Sequence, residues 1–121
     1  MAVASQEITR ESWREYFDEF SRTVGTAEVT LELAGRDIGD QIAAERLVLT
    51  GITYDDEDDV LVVGLDAPGG SPEEYEHMIA SPERIYVATT DNGETTFDVT
   101  DAEGRQHLIH MTPAPALPPS A

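Results

Sequence analysis

The stretch of sequence that decides the fold covers residues 8–33 and reads ITRESWREYFDEFSRTVGTAEVTLEL. Its first part has helical periodicity, because apolar side chains recur three or four residues apart along one stripe: Trp13, Tyr16, Phe17, Phe20 and Val24. Thr9 suits the N-cap of this helix, and Gly25 suits the position just after its end. From Ala27 apolar and polar residues alternate, which predicts a half-buried strand. The sequence therefore predicts a helix followed directly by a strand.

Further short strands follow toward the C-terminus. They are predicted at 47–54 with a bend at Gly51, and at 60–65, 84–89, 95–100 and 106–111. Ser71 and Pro72 have the pattern of a helix start, so a short helix is expected through about His77. We therefore predict an α+β, mainly β fold: an N-terminal helix followed by a small five- to six-stranded antiparallel barrel or bent sheet. The order of elements is like that of Sm and SH3 barrels.

The predicted domain is single and covers residues 8–111. Residues 1–7 are expected to be a flexible N-terminus, and residues 112–121, which hold four of the seven prolines, a proline-rich disordered tail. The apolar pattern assigns a structural core with these members: Trp13, Tyr16, Phe17, Phe20, Val29, Leu31, Leu49, Val62, Ile85, Val87 and Phe97.

The charge balance argues against several classes of protein. The 121 residues carry 25 acids and 7 bases, a formal net charge of −18, and every base is an arginine. Binding to nucleic acid by counterion release needs a basic surface, and anionic membranes repel this composition. There is no cysteine for disulfides or thiolate sites. We therefore expect no nucleic-acid or membrane partner and, without an apolar span or leader pattern, a cytoplasmic location.

Two motifs resemble ligand-binding loops but lack residues that the ligand requires. Residues 64–71 fit a phosphate-binding loop except at Gly70, where the lysine that reaches the phosphates is missing. The acidic run Asp55–Asp59 lacks the central glycine and the distal glutamate of a calcium loop, which favours a solvated hairpin tip. We therefore expect no cofactor and no metal ion.

The three histidines are the remaining candidates for chemistry. His107 and His110 are three residues apart on one predicted strand, so their side chains should face opposite sides and cannot ligate one ion together. His77 lies on another element and could meet either of them, which the sequence leaves open. No catalytic residue stands out, and we expect the protein not to be an enzyme.

The segments also carry a resemblance to a known family. The matching residues are Ile8, Trp13 and 17–21 around the helix, 29–32, the turn 37–39, 47–54, 79–85, and 101–104 with Leu108. Over about residues 8–111 the chain resembles the bacterial domain-of-unknown-function family 5335. It departs from the family pattern at 25–27 and in its proline-rich end. The resemblance implies the fold described above and brings no catalytic residue, cofactor or partner.

Three hypotheses about function follow. The first is a non-enzymatic binding or assembly module, because small barrels and bent sheets have strand edges that pair with peptides or with a second copy. The alternative is an acidic mimic of nucleic acid that binds a basic protein surface. The third, an enzyme or metal protein, would need at least His77 close to His107 or His110.

The net charge of −18 predicts that salt stabilises the protein. Most carboxylates lack a nearby base, and self-repulsion opposes compaction. The screening length falls from about 10 Å at 0.1 M to about 3 Å at 1 M, so the melting temperature should rise steeply over that range of sodium chloride. Thermal melts measure this, and a flat or falling melting temperature would contradict it.

Overall fold

A computed structural model describes residues 3–35, 39–66 and 74–113. A 3-10 turn at Arg10–Ser12 leads into helix α1, Trp13–Thr23. The strands are β1 Val3–Ile8, β2 Ala27–Gly35, β3 Gly39–Asp55, β4 Val60–Asp66, β5 Glu74–Ala80, β6 Pro82–Thr90, β7 Thr95–Asp101 and β8 Gln106–Pro113.

The described strands form one sheet in the order β1-β6-β7-β8-β2-β3-β4-β5, and every neighbouring pair is antiparallel. The sheet is bent and is not closed into a barrel, because β1 and β5 at its two ends do not pair with each other. Helix α1 packs against β3. The predicted α+β, mainly β fold with an N-terminal helix and a bent sheet is confirmed.

The bend brings the two ends of the sheet together at one residue. Ser81 alone connects β5, at one end of the strand order, with β6, which lies second from the other end. Its backbone is in the left-handed region, with φ of 52°. The Ser81 N–H donates to the carbonyl of Asp59, and the Ser81 carbonyl accepts from the N–H of Ala102, both at 2.9 Å. These bonds join the β3–β4 and β7–β8 turns at this corner.

Two predicted segments differ from the structure. Residues 3–7, expected to belong to a flexible N-terminus, pair with β6 together with Ile8 as strand β1. The helix predicted through His77 is wrong, because residues 74–80 form strand β5, whose alternating positions Tyr75, His77 and Ile79 share one face. With these two strands, the described residues form eight strands in all.

The predicted C-terminal tail and the phosphate-loop motif lie only partly within the described residues. Residues 112 and 113, assigned to the tail, belong to β8, and residues 114–121 lie outside the described residues. Of the loop at 64–71, residues 64–66 end strand β4 and the rest also lies outside.

Local signals set the helix boundaries. Thr9 precedes the 3-10 turn as expected of a cap, but its hydroxyl lies 3.0 Å from that of Ser12 and caps no backbone N–H. The N–H of Val24 donates to the carbonyl of Phe20, and Gly25 follows with φ of 71°, which ends the helix as predicted.

The core lies on the inner face of the bent sheet, beneath α1. Most predicted core residues are buried there, namely Trp13, Phe17, Val29, Leu31, Leu49, Ile85, Val87 and Phe97. Tyr16 and Phe20 are half-buried and pack against this cluster. Val62 is only partly buried, because it points to the opposite face from its neighbours Leu61 and Val63.

A bulge in β3 is stabilised by the helix. The register of the β3–β4 pair shifts between Leu49 and Gly51, which confirms the predicted bend. The hydroxyl of Ser21 donates to the carbonyl of Ile52 at 2.8 Å and accepts from its N–H at 3.0 Å. One side chain of α1 therefore satisfies both backbone groups next to the bulge.

Trp13 should be the largest single contributor to the core. Its side chain is 1% exposed, its indole N–H donates to the carbonyl of Ile8 at 2.8 Å, and its ring meets that of Tyr54 edge-on with centroids 5.1 Å apart. Trp13→Ala should lower the free energy of unfolding by about 3–5 kcal/mol. Tyr86→Ala, at a 37% exposed site, is the control and should lower the free energy of unfolding far less. Urea unfolding measures both variants, and equal losses would contradict the central place of Trp13 in the core.

Tyr54 makes the stability sensitive to alkaline pH. Its hydroxyl donates to Asp59 at 2.6 Å, and burial together with that hydrogen bond raises the pKa of Tyr54 to about 12. An unfolded tyrosine titrates near pH 10, so this stabilisation is complete below about pH 10 and is lost as the pH rises through about 12. Tyr54→Phe should remove that part of the alkaline loss in urea unfolding. An unchanged pH profile in the variant would contradict this.

Candidate functional site

The bend of the sheet places two histidines in contact. His77 on β5 and His107 on β8 both lie on the inner face, and the Nε2 atom of His77 is 3.1 Å from the Nδ1 atom of His107. Three strands lie between β8 and β5 in the strand order, so this contact crosses the interior of the bent sheet. The structure therefore answers the question that the sequence left open: His77 meets His107. We call these two residues the histidine pair.

Asp101 fixes the orientation of His107. Its Oδ2 atom lies 2.9 Å from the Nε2 atom of His107, and its Oδ1 atom accepts hydrogen bonds from the N–H groups of Glu103 and Arg105 at 2.9 and 3.1 Å. A charged Asp101 can only accept, so Nε2 of His107 carries the proton and donates it. The Nδ1 atom of a neutral His107 is then an acceptor for the Nε2–H of His77.

Burial and hydrogen bonding set the charges of this network. The pKa of His77 is lowered by burial first and by the nearby His107 second, so His77 is neutral at pH 7. Burial alone would raise the pKa of Asp101, but the hydrogen bonds from His107, Arg105 and Glu103 outweigh it and the pKa is lowered. At neutral pH the network thus links the Asp101 carboxylate through His107 to a neutral His77.

His110 is separate from this network. It lies on the outer face of β8, where its Nδ1 atom is 3.1 Å from the hydroxyl of Thr96 and its Nε2 atom is 3.8 Å from Glu32. The prediction that His107 and His110 face opposite sides is confirmed.

An open cleft of about 360 Å³ reaches His107. It lies between the end of β5 and the β7–β8 turn, and its lining consists of Met78, Ala80, Ser81, Asp101, Ala102, Glu103, Arg105 and His107. His107 is 7% exposed, whereas Met78 at the mouth is 61% exposed. We call this space the turn cleft.

Strand β5 also forms an end of the sheet. Its seven residues pair with β4 without a register shift, and its other edge pairs with no strand among the described residues. The large apolar side chains of Tyr75 and Met78 are 46% and 61% exposed there. An edge that is regular, free of lysine and proline, and carries exposed large apolar side chains is typical of a surface that pairs with another strand.

The side chains of the acidic run Asp55–Asp59 stabilise the β3–β4 turn in which they lie. The Oδ1 atom of Asp55 accepts from the N–H groups of Glu57 and Asp58, and Asp56 and Asp59 lie 3.4 and 3.5 Å from Arg14 and Arg10. In the part of the chain that the structure describes, no group of three or more metal-ligating side chains comes together.

A shallow groove of about 430 Å³ runs along α1. It is lined by Ser12, Glu15, Tyr16, Glu19, Phe20 and Thr23. The rings of Tyr16 and Phe20 pack on Phe97, with centroids 6.1 and 5.1 Å away, so these half-buried side chains cover the core beneath them.

Sequence comparison places the chain among known proteins. The profile of a family of unknown function, DUF5335, matches residues 4–120. The chain belongs to this family. A protein of Aquifex aeolicus (strain VF5), described only as uncharacterised, is 36% identical to it over 116 residues, which are 96% of this chain and 99% of that protein. No solved structure matches the chain.

The DUF5335 match is longer than the resemblance inferred from the segments, since it includes β1 at the N-terminal side. The described helix α1 is too short and polar to span a membrane.

Sequence reasoning missed Asp101 as a site residue. It opens the turn 101–104, and its carboxylate accepts from backbone groups two and four residues ahead, which is a common role of aspartate in turns. The only additional signal is a histidine six residues later, and that signal is too frequent to be specific.

Asp101 should be important for stability through this network. Asp101→Ala removes the acceptor for three donors and should lower the free energy of unfolding by about 2–4 kcal/mol. Asp101→Asn should cost less, because the amide oxygen can still accept from the backbone and His107 can change tautomer. Glu94→Ala, an exposed acid in the neighbouring hairpin turn, is the control. Equal stability of all three variants would contradict this role.

Proposed function

We propose that this protein is a non-enzymatic assembly module, and that strand β5 adds to β5 of a second copy. The observation that carries the proposal is the unpaired edge of β5 in the described sheet, with Tyr75 and Met78 exposed on it. Edge strands of soluble proteins usually carry lysine, proline or a bulge that prevents pairing, and β5 has none of these.

The sequence of β5 is self-complementary in an antiparallel pair centred on His77. Met78 then faces Glu76 of the second copy, and Tyr75 faces Ile79, so no two carboxylates lie directly opposite. The two-fold symmetry of such a pair uses the same edge twice and closes the assembly as a dimer.

Charge makes this assembly dependent on salt. Two chains of net charge −18 repel each other at low ionic strength. Screening at 1 M salt reduces the range of this repulsion to about 3 Å. We therefore expect monomers at low salt and dimers at molar salt, or in a host cytoplasm of high ionic strength.

Light scattering after size-exclusion chromatography in 1 M sodium chloride with EDTA tests the proposal. The wild type should dimerise, and Met78→Glu should weaken the dimer at least about tenfold, because it places a carboxylate opposite Glu76 and removes an apolar contact. Adding Glu76→Lys to this variant should restore pairing. Ile42→Glu, at another 59% exposed apolar site, is the matched control and should not change the dimer.

Two outcomes would contradict the proposal. One is a strict monomer at every protein and salt concentration, and the other is a dimer that Met78→Glu and Ile42→Glu affect equally. Circular dichroism shows that the variants are folded before they are compared.

The alternative, an acidic mimic of nucleic acid, needs unpaired carboxylates in a regular row on one face. Where acids are densest in sequence, Asp56 and Asp59 instead lie beside Arg14 and Arg10. The described surface therefore gives the mimic less support than the edge of β5 gives assembly.

A further inference from the structure

We propose that the histidine pair binds one divalent transition-metal ion, with Nε2 of His77 and Nδ1 of His107 as its protein ligands. This goes beyond the proposed assembly and does not depend on it. The two atoms are 3.1 Å apart and approach each other from strands β5 and β8.

The spacing of the two nitrogens is close to that of a metal chelate. In a tetrahedral zinc site with Zn–N distances of about 2.0–2.1 Å, neighbouring nitrogens are about 3.3 Å apart. The observed distance of 3.1 Å differs by a few tenths of an ångström, so the two nitrogens reach chelating geometry when both rings turn their lone pairs toward one point beside the N···N line.

Asp101 supplies the support that metal-bound histidines ordinarily have. A ligating histidine usually donates its other ring N–H to a carboxylate, which fixes the tautomer and makes the ligand more basic. The Nε2 atom of His107 lies 2.9 Å from Asp101, so its Nδ1 atom presents a lone pair to His77. On binding, His77 moves its proton from Nε2 to Nδ1, the hydrogen bond between the rings is replaced by two metal–nitrogen bonds, and no net proton is released.

The chemistry of the two ligands selects the class of metal. Imidazole nitrogens suit zinc, copper and nickel, whereas calcium and magnesium prefer oxygen ligands. Since no third ligating side chain joins the pair among the described residues, water that reaches the half-buried His77 completes the coordination. The net charge of −18 also concentrates cations at the surface.

Calorimetric titration of the metal-free protein with zinc chloride at low salt tests the proposal. One ion should bind per chain. His77→Ala and His107→Ala should weaken binding at least about tenfold, and Asp101→Asn by about 10–100-fold as an outer-shell partner. His110→Ala is the matched control and should leave the affinity unchanged, because His110 lies on the opposite face.

A second measurement on the wild type avoids any variant that fails to fold. Zinc should shift the ring ¹⁵N resonances of His77 and His107, and leave those of His110 in place. The proposal is overturned if the wild type shows no saturable one-site binding, or if binding is equal in His107→Ala and His110→Ala. Neither result bears on assembly, which is measured in EDTA.

Discussion

The structure depends on the one-residue connection at Ser81. A sheet of eight strands would be an open, twisted layer if a long crossover joined β5, at one end of the strand order, to β6 near the other end. Instead β5 passes directly into β6 through a residue with φ of 52°. A left-handed serine costs about 1–3 kcal/mol and persists only where its surroundings determine it. The two backbone hydrogen bonds to Asp59 and Ala102, together with Pro82 at the first position of β6, provide that determination.

Local signals in the sequence are sufficient to predict the helix and the hairpins, but they do not predict β1 and β5, the two end strands of the sheet. Helix α1, the bulge at Gly51 and the strands of 84–111 follow from periodicity and turn residues. Strand β1 has few apolar side chains and is held by pairing with β6, while β5 follows a Ser-Pro start signal that favours a helix. In both segments tertiary pairing overrides local preference, as it does for any propensity of this kind.

The candidate site was less predictable than the fold. The contact between His77 and His107 joins residues 30 apart and exists only because the sheet bends far enough for β5 to reach the inner face of β8. The separation of His107 from His110 needed only the alternation of a strand, so it could be predicted. The role of Asp101 required knowing which turn lies beside which strand.

Exposed ion pairs and the buried apolar face contribute very differently to stability. The ion pairs of Arg10, Arg14 and Arg22 are solvent-exposed and each contributes little. Stability therefore rests on the apolar inner face. Among the residues that the structure describes, the buried polar side chains are Asp101 and His107, which contact each other at its edge.

The most direct test of this account is the hydrogen bond between the two histidines, since it exists only if the sheet bends as described. In metal-free, ¹⁵N-labelled protein at neutral pH, NMR should detect coupling between Nε2 of His77 and Nδ1 of His107, with contacts between their ring protons. Proximity of His77 to His110, or to neither histidine, would contradict the bend at Ser81 and the site built on it.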